Sequence, residues 1–215
     1  MSTQILGTVY RGQQAGFQNQ GGVQPMLNTL GEQVVMDWLT KAVLDGMVYQ
    51  VRAGTITAPL TGDVAITDTA AEMAADAASG TTIIPIRFGL SIESLNGGTL
   101  PEFALKSVAT VSSAGTAFIP LPLRSDGPAA VSTARVQAAG SVTVTAELAT
   151  TTLRHGAGVI ATVGTGLAGF QQNLMPAPVL VGPRCFYVQV AGATAGPLYF
   201  ADFDYVEAST TLVER

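Results

Sequence analysis

Few residues in this 215-residue chain have the type and spacing to do chemistry. The nearest to a motif is Val159-Ile-Ala-Thr-Val-Gly164-Thr-Gly166-Leu-Ala-Gly169, strand-like residues followed by Gly-x-Gly-x-x-Gly. That is the form of a dinucleotide fingerprint. The chemistry needs a helix whose N-terminus meets a pyrophosphate, and an acid about twenty residues on for the ribose. Pro176 and Pro178 limit any helix here to about two turns. No acid lies between Glu147 and Asp202. The run therefore reads as a glycine-rich loop between strands.

Asp202-Phe-Asp204-Tyr-Val-Glu207 offers carboxylate oxygens to a calcium ion, but such a site takes six to eight oxygens. A solvated strand face opposite a Phe/Tyr core face accounts for the spacing better. His155 is the chain's one histidine. It has neither a Gly-x-Ser-x-Gly elbow nor another nucleophile context nearby, and reads as a lone loop residue. Cys185 is the one cysteine, within a strand pattern, and reads as an inert buried thiol. Counting alone excludes disulfide frameworks and Cys/His zinc sites. Phe186, Tyr187, Tyr199, Phe200, Phe203 and Tyr205 have the faces to stack sugars or bases. No cation among them would hold a phosphate, so core and interface packing is expected. No catalytic, cofactor-binding or metal-binding residue is assigned, and no enzyme is expected.

Charge narrows the partners. Charged residues make up 12% of the chain, about half the usual share, and the net charge is −5. Only Lys41 and Lys106 are lysines. Such a chain lacks the basic footprint that grips phosphate backbones, so strong nucleic-acid binding is not expected. Mean hydropathy is +0.38, yet no run of eighteen apolar residues occurs, which argues against a spanning helix. Met1–Thr8 has neither a basic n-region nor an apolar h-region, so a secretory signal is not expected there.

The elements that must position these residues are mostly strands. Residues 7–24 are rich in Gly and Gln and read as an extended arm with no core of its own. A helix is expected from about Thr29 to about Asp45. Thr29 and Glu32 form a capping box, and Leu27, Leu30, Val34 and Trp38 make a stripe widened by Val35, Leu39 and Ala42. The period then changes from 3.6 to 2. Ile84, Ile86, Phe88, Leu90 and Ile92 alternate with Pro85, Arg87, Gly89, Ser91 and Glu93, ending at the turn signal Asn96-Gly-Gly. Val142–Leu148, Phe186–Val190 and Tyr199–Tyr205 alternate likewise. Weaker strands are expected near 47–57, 102–111, 116–123, 131–137 and 159–163. The Ala-rich stretch between Ile66 and Gly80 reads as a short surface helix in a loop. Pro120 and Pro122 remove amides from one side of a strand and restrict the segment to a sheet edge or an unpaired stretch.

About nine such strands with glycine-rich turns describe a mainly β chain. The strand pattern leads to an antiparallel sandwich or barrel with one N-terminal helix and an extended N-terminal arm. Residues 1–25 would be the arm and residues 26–215 a single domain that includes the helix. The order of arm, capped helix and eight or more strands resembles the single jelly-roll capsid proteins of icosahedral viruses, over roughly Met47 to Thr211. The resemblance implies that the fold is an antiparallel, jelly-roll-like β-sandwich and that the chain is a structural virion protein, a shell subunit made in the host cytoplasm that self-assembles through arm, helix and loops. Its partners would be copies of itself and other virion proteins. Many such capsid proteins carry a basic arm, whereas the first forty residues here contain only Arg11. That departure implies a shell over an internal membrane or another protein layer, without direct genome neutralisation. The alternative is a recognition module: a phage spike or fibre head, or a carbohydrate-binding β-sandwich. Its mark would be exposed aromatics at loop tips, and the only Trp, Trp38, belongs to the helix stripe.

Overall fold

The structure, a computed structural model, describes residues 37–55, 57–67, 69–96, 101–137, 142–145, 151–155, 168–174, 177–192 and 194–210. The expected arm (1–25), the capping box at Thr29 and Glu32, the strand at 159–163 and residues 146–148 of another lie outside the described residues.

One helix, α1 (Trp38–Leu44), opens the described chain. The strands that follow are β1 (Val48–Ala53), β2 (Leu60–Thr61), β3 (Ala70–Ala71), β4 (Met73–Ala77) and β5 (Thr81–Ser94). Next come β6 (Pro101–Val108), β7 (Thr116–Phe118), β8 (Leu121–Pro122), β9 (Thr133–Val136) and β10 (Val142–Thr143). The last are β11 (Thr151–His155), β12 (Ala168–Asn173), β13 (Leu180–Val181), β14 (Arg184–Gly192) and β15 (Leu198–Ser209). The first sheet runs β12-β5-β15-β1-β8, with β13 on β5 and β2 on β15. The second runs β11-β6-β14-β4-β9-β7, and a small third sheet pairs β10 with β3. All the paired strands are antiparallel.

Eight strands carry the topology: β1, β4, β5, β6, β11, β12, β14 and β15. In that order the first sheet holds numbers one, eight, three and six, and the second two, seven, four and five. This interleaving of two sheets is a jelly roll. The chain is mainly β, as expected.

The core lies between the sheets. Phe88 and Phe203 of the first sheet meet Phe103 and Phe186 of the second, with centroids 5.4 Å apart in both Phe88–Phe103 and Phe186–Phe203. Such tilted or edge-on pairs contribute about 0.5–1.5 kcal/mol beyond their buried area. Tyr199 and Tyr205 join them, and all six side chains are buried. The sandwich is also covered outside. Cys185 and Tyr187 pack with Ala71, Ala74, Val142 and Val144 beneath the third sheet. Helix α1 lays Leu39, Ala42 and Val43 on Val48, Ile86 and Val206 of the first sheet. Among the described residues, the rest of that sheet's outer face has no such cover.

Four expectations need correction. The helix does not run unbroken from Thr29, because Asp37 is extended (φ −65°, ψ 152°) and its carboxylate accepts from the Leu39 and Thr40 amides at 3.0 Å. That makes Asp37 the N-cap. Trp38, expected in the core stripe, is 50% exposed. The Ala-rich stretch is not a surface helix: residues 73–77 form the wholly buried strand β4 between β14 and β9. Small side chains suit a strand buried on both faces, and this context overrides alanine's helix preference. Finally, the alternation from Ile84 to Ile92 does not mark one face. Arg87 pairs with Asp204 and Pro85 with Tyr205, leaving Ile86 as an extra residue. This bulge puts Phe88, Leu90 and Ile92 in the sandwich and turns Ile86 and Ile84 to the helix side.

Pro120 and Pro122 occur at an edge, as expected. Strand β8 pairs with β1 at the border of the first sheet, and the Leu123 amide donates to the Val48 carbonyl at 2.9 Å. Amides alternate along a strand, so the two prolines fall on the free side. Among the described residues no helix is long and apolar enough to cross a membrane.

Candidate functional site

The uncovered part of the first sheet carries a groove of about 400 Å³. Register builds its floor. Arg52 of β1 lies opposite Asp202 of β15, Asp202 opposite Gly89 of β5, and Gly89 opposite Gln171 of β12. In the next row Gln50, Asp204, Arg87 and Asn173 are aligned in the same way. On the other side Phe200 faces Ser91. Directly paired residues share a face, so one polar surface spans four strands. It lies outward because Tyr199, Ala201, Phe203 and Leu90, the alternate residues, face the core.

Arg87 ties the floor together. Its Nε donates to Asp204 and its Nη2 to Asp202, each at 2.5 Å. Gln50 Nε2 donates to the other Asp204 oxygen at 3.0 Å, and Arg52 Nη2 donates to Gln50 Oε1 at 3.1 Å. The Asp204 side chain is 7% exposed, whereas those of Asp202 and Arg87 are 29% and 34% exposed. The hydrogen bond to Asp204 raises the Arg87 pKa above its ordinary value, against desolvation. Desolvation raises that of Asp202, opposed by the charge of Arg87.

Two glycines keep the groove open. A Cβ on Gly89 would sit 2.7 Å from an Asp202 carboxylate oxygen, so the carboxylate lies where a side chain would be. Gly54 has φ +84°, and a Cβ there would meet the Phe200 ring at 2.9 Å. Phe200 thus lies across the turn that ends β1. It is half-buried, whereas Phe186, Tyr187, Tyr199, Phe203 and Tyr205 are fully buried. Of the six aromatics expected in core and interface packing, five are buried in the core and the sixth, Phe200, borders the groove. The Phe170 ring faces the other way, with centroids 4.9 Å from Phe103 and 6.4 Å from Phe88.

The residues singled out by sequence do not converge. Asp202 and Asp204 share a face, but Arg87 engages both, so the expected solvated face is instead an ion-paired one. Glu207 belongs to the opposite side. Its carboxylate accepts from the Val131 and Ser132 amides at 2.8 Å and from the Ser132 hydroxyl, which also meets Tyr205. Cys185 is buried, and desolvation lifts its pKa well above the ordinary thiol range, aided by Asp76. His155 ends strand β11 opposite Phe103, which corrects its reading as a loop residue. Most of the Gly-x-Gly-x-x-Gly run lies outside the described residues, but Gly169 stands in β12, a strand where the fingerprint needs a helix. No group of three or more His, Cys, Asp or Glu suited to a metal occurs among the described residues.

What sequence reasoning missed is the Arg87–Asp202–Asp204 cluster. A signal was present, since all three occupy outward positions of alternating strands. Their meeting depends on the β5–β15 register, to which the Ile86 bulge contributes. The groove therefore offers donors (Arg52, Gln171), acceptors (Asp202, Ser91) and one apolar ring. Its described lining contains no His, Cys or Lys to act as a nucleophile or base. Those donors and acceptors give it the means to bind a polar ligand. The chain matches no protein-family model, no curated protein and no solved structure.

Proposed function

We propose that this chain is a structural shell subunit, a jelly-roll capsid protein of a virion, which assembles through its N-terminal segment, helix and loops without neutralising a genome. The observation that carries the reading is the border of the first sheet. Ile119, Leu121 and Leu123 are 61%, 67% and 43% exposed along an edge whose outward amides are removed by proline. The end of α1 lies against the same segment, because Arg124 Nη1 donates to the Leu44 carbonyl at 2.7 Å. Leu44 and Trp38 on that helix are 53% and 50% exposed. Apolar side chains gathered on one border favour burial against another protein. The absent amides prevent simple strand addition, so contacts there use side chains and give bounded assemblies instead of fibres. Partners on this reading are further copies and other virion proteins. An internal membrane or protein layer would lie beneath the shell.

The test is deletion of residues 1–24. Circular dichroism should still show a folded β-rich protein, while light scattering and negative-stain microscopy should show loss or weakening of higher-order assembly. Particles of normal size and thermal stability without those residues would refute the arm's role. A second reading, a recognition module of the spike or carbohydrate-binding kind, is favoured by the polar groove around Asp202.

A further inference from the structure

We propose that the groove over β1, β15, β5 and β12 is a saccharide-binding site. A neutral sugar would set its C–H face against Phe200 and its hydroxyls against Arg52, Asp202 and Gln171. This deepens the recognition reading and stands whether or not the subunit builds a shell.

Charge balance is the first argument. Arg52 and Arg87 face Asp202 and Asp204, so the four charges formally cancel. An anion approaching Arg52 also meets the Asp202 carboxylate. A cation finds both carboxylates already held by Arg87 at 2.5 Å. A neutral ligand suffers neither conflict.

The pattern of polar groups is the second. Arg52 only donates, Asp202 only accepts, and the Gln171 amide and Ser91 hydroxyl do both. An array that mixes both capacities over four adjacent strands suits hydroxyls, each a donor and an acceptor. Arg52 and Gln171 are exposed, so the groove's donors are open to solvent and to a ligand. A wholly apolar ligand would leave these groups unsatisfied, at a cost for each one.

Shape is the third. Gly89 lets the Asp202 carboxylate and Gly54 lets the Phe200 ring lie close against the backbone, and about 400 Å³ is room for a small ligand. Sugar rings present one apolar face and a polar rim, which matches a ring edged by hydrogen-bonding groups.

The test is an amide chemical-shift titration of the full chain with glucose, galactose, mannose and N-acetylglucosamine. At least one should shift amides of Gly89, Ser91, Gln171 and Asp202 with millimolar affinity. Phe200→Ala and Arg52→Ala should each weaken that binding by about tenfold. Arg52 is exposed, so Arg52→Ala tests the site even if Phe200→Ala fails to fold. Gly89→Leu should abolish binding by filling the floor. The proposal falls if none of the four sugars shifts these amides, or if binding survives both Arg52→Ala and Gly89→Leu. It also falls if inorganic sulfate displaces the sugar, which would mark an anion site. Light scattering on the same samples separates the two readings. Intact particles without sugar binding reject the site, and sugar binding without particles rejects the shell.

Discussion

Three buried acids in this fold, Asp76, Glu207 and Glu72, accept from backbone amides. Asp76 accepts from the Ser112 amide and hydroxyl at 2.7 Å, and Glu207 accepts from the Val131 and Ser132 amides. Each fixes a loop to a strand through charge-assisted bonds. Glu72 is different. It is 1% exposed, and its carboxylate accepts from the Val190 amide at 2.7 Å. Burial raises its pKa to about 8, the Val190 amide opposing and the Asp63 charge adding to the rise. The folded state therefore keeps a proton that the unfolded chain releases above about pH 4.3. Stability from this group is complete below that value and is lost as pH rises toward about 8. The loss is at most about 1.4 kcal/mol per pH unit. Urea unfolding from pH 5 to pH 9 should show stability falling with pH in the native chain, and Glu72→Gln should flatten the decline. An unchanged slope would show that Glu72 does not titrate in this way.

At the scale of elements, strand chemistry decides where the sheets stop. The Leu123 amide points at β1, so the nitrogens of Pro120 and Pro122 face outward without hydrogens. Pro120→Thr with Pro122→Thr would restore two donors on an edge that already exposes Leu121 and Ile119. Such an edge is a template for pairing with another chain. The double variant should keep its β-sheet circular dichroism but associate at concentrations where the native protein does not form larger species. Equal light scattering from the two proteins would refute an edge-blocking role. The proline pattern showed this border in the sequence, because a missing amide is a local property. The Ile86 bulge and the burial of β4 were not legible. A bulge is a mismatch between two strands, and alanine carries no mark of which face is covered.

For the whole molecule, charge is sparse and acidic on balance, and ion pairs occur among the described residues. Lys41 pairs with Asp45, Arg87 with Asp202 and Asp204, and Arg124 with Asp126. With ten basic residues against fifteen acidic ones and a net charge of −5, the chain has no excess of cations to displace counterions from a phosphate backbone. Fluorescence anisotropy with single- and double-stranded oligonucleotides should detect no submicromolar binding at physiological salt. Binding at that level, weakened by Arg11→Ala or Arg52→Ala, would overturn this and reopen genome contact.

The sequence by itself determined the mainly β class, the strands around Phe88, Phe186 and Phe203, and the proline-marked edge. Alternation and missing amides are properties of a single strand, readable without knowing its neighbours. Only the tertiary structure decided which strands share a sheet, and so that the order is a jelly roll. It also moved the helix start to Asp37, where a carboxylate reaches two free amides, and made β4 an interior strand. The groove belongs wholly to that second level. Arg52, Arg87, Gln171 and Asp202 lie on four strands spread over most of the described chain. They become neighbours only because antiparallel pairing aligns them across one face.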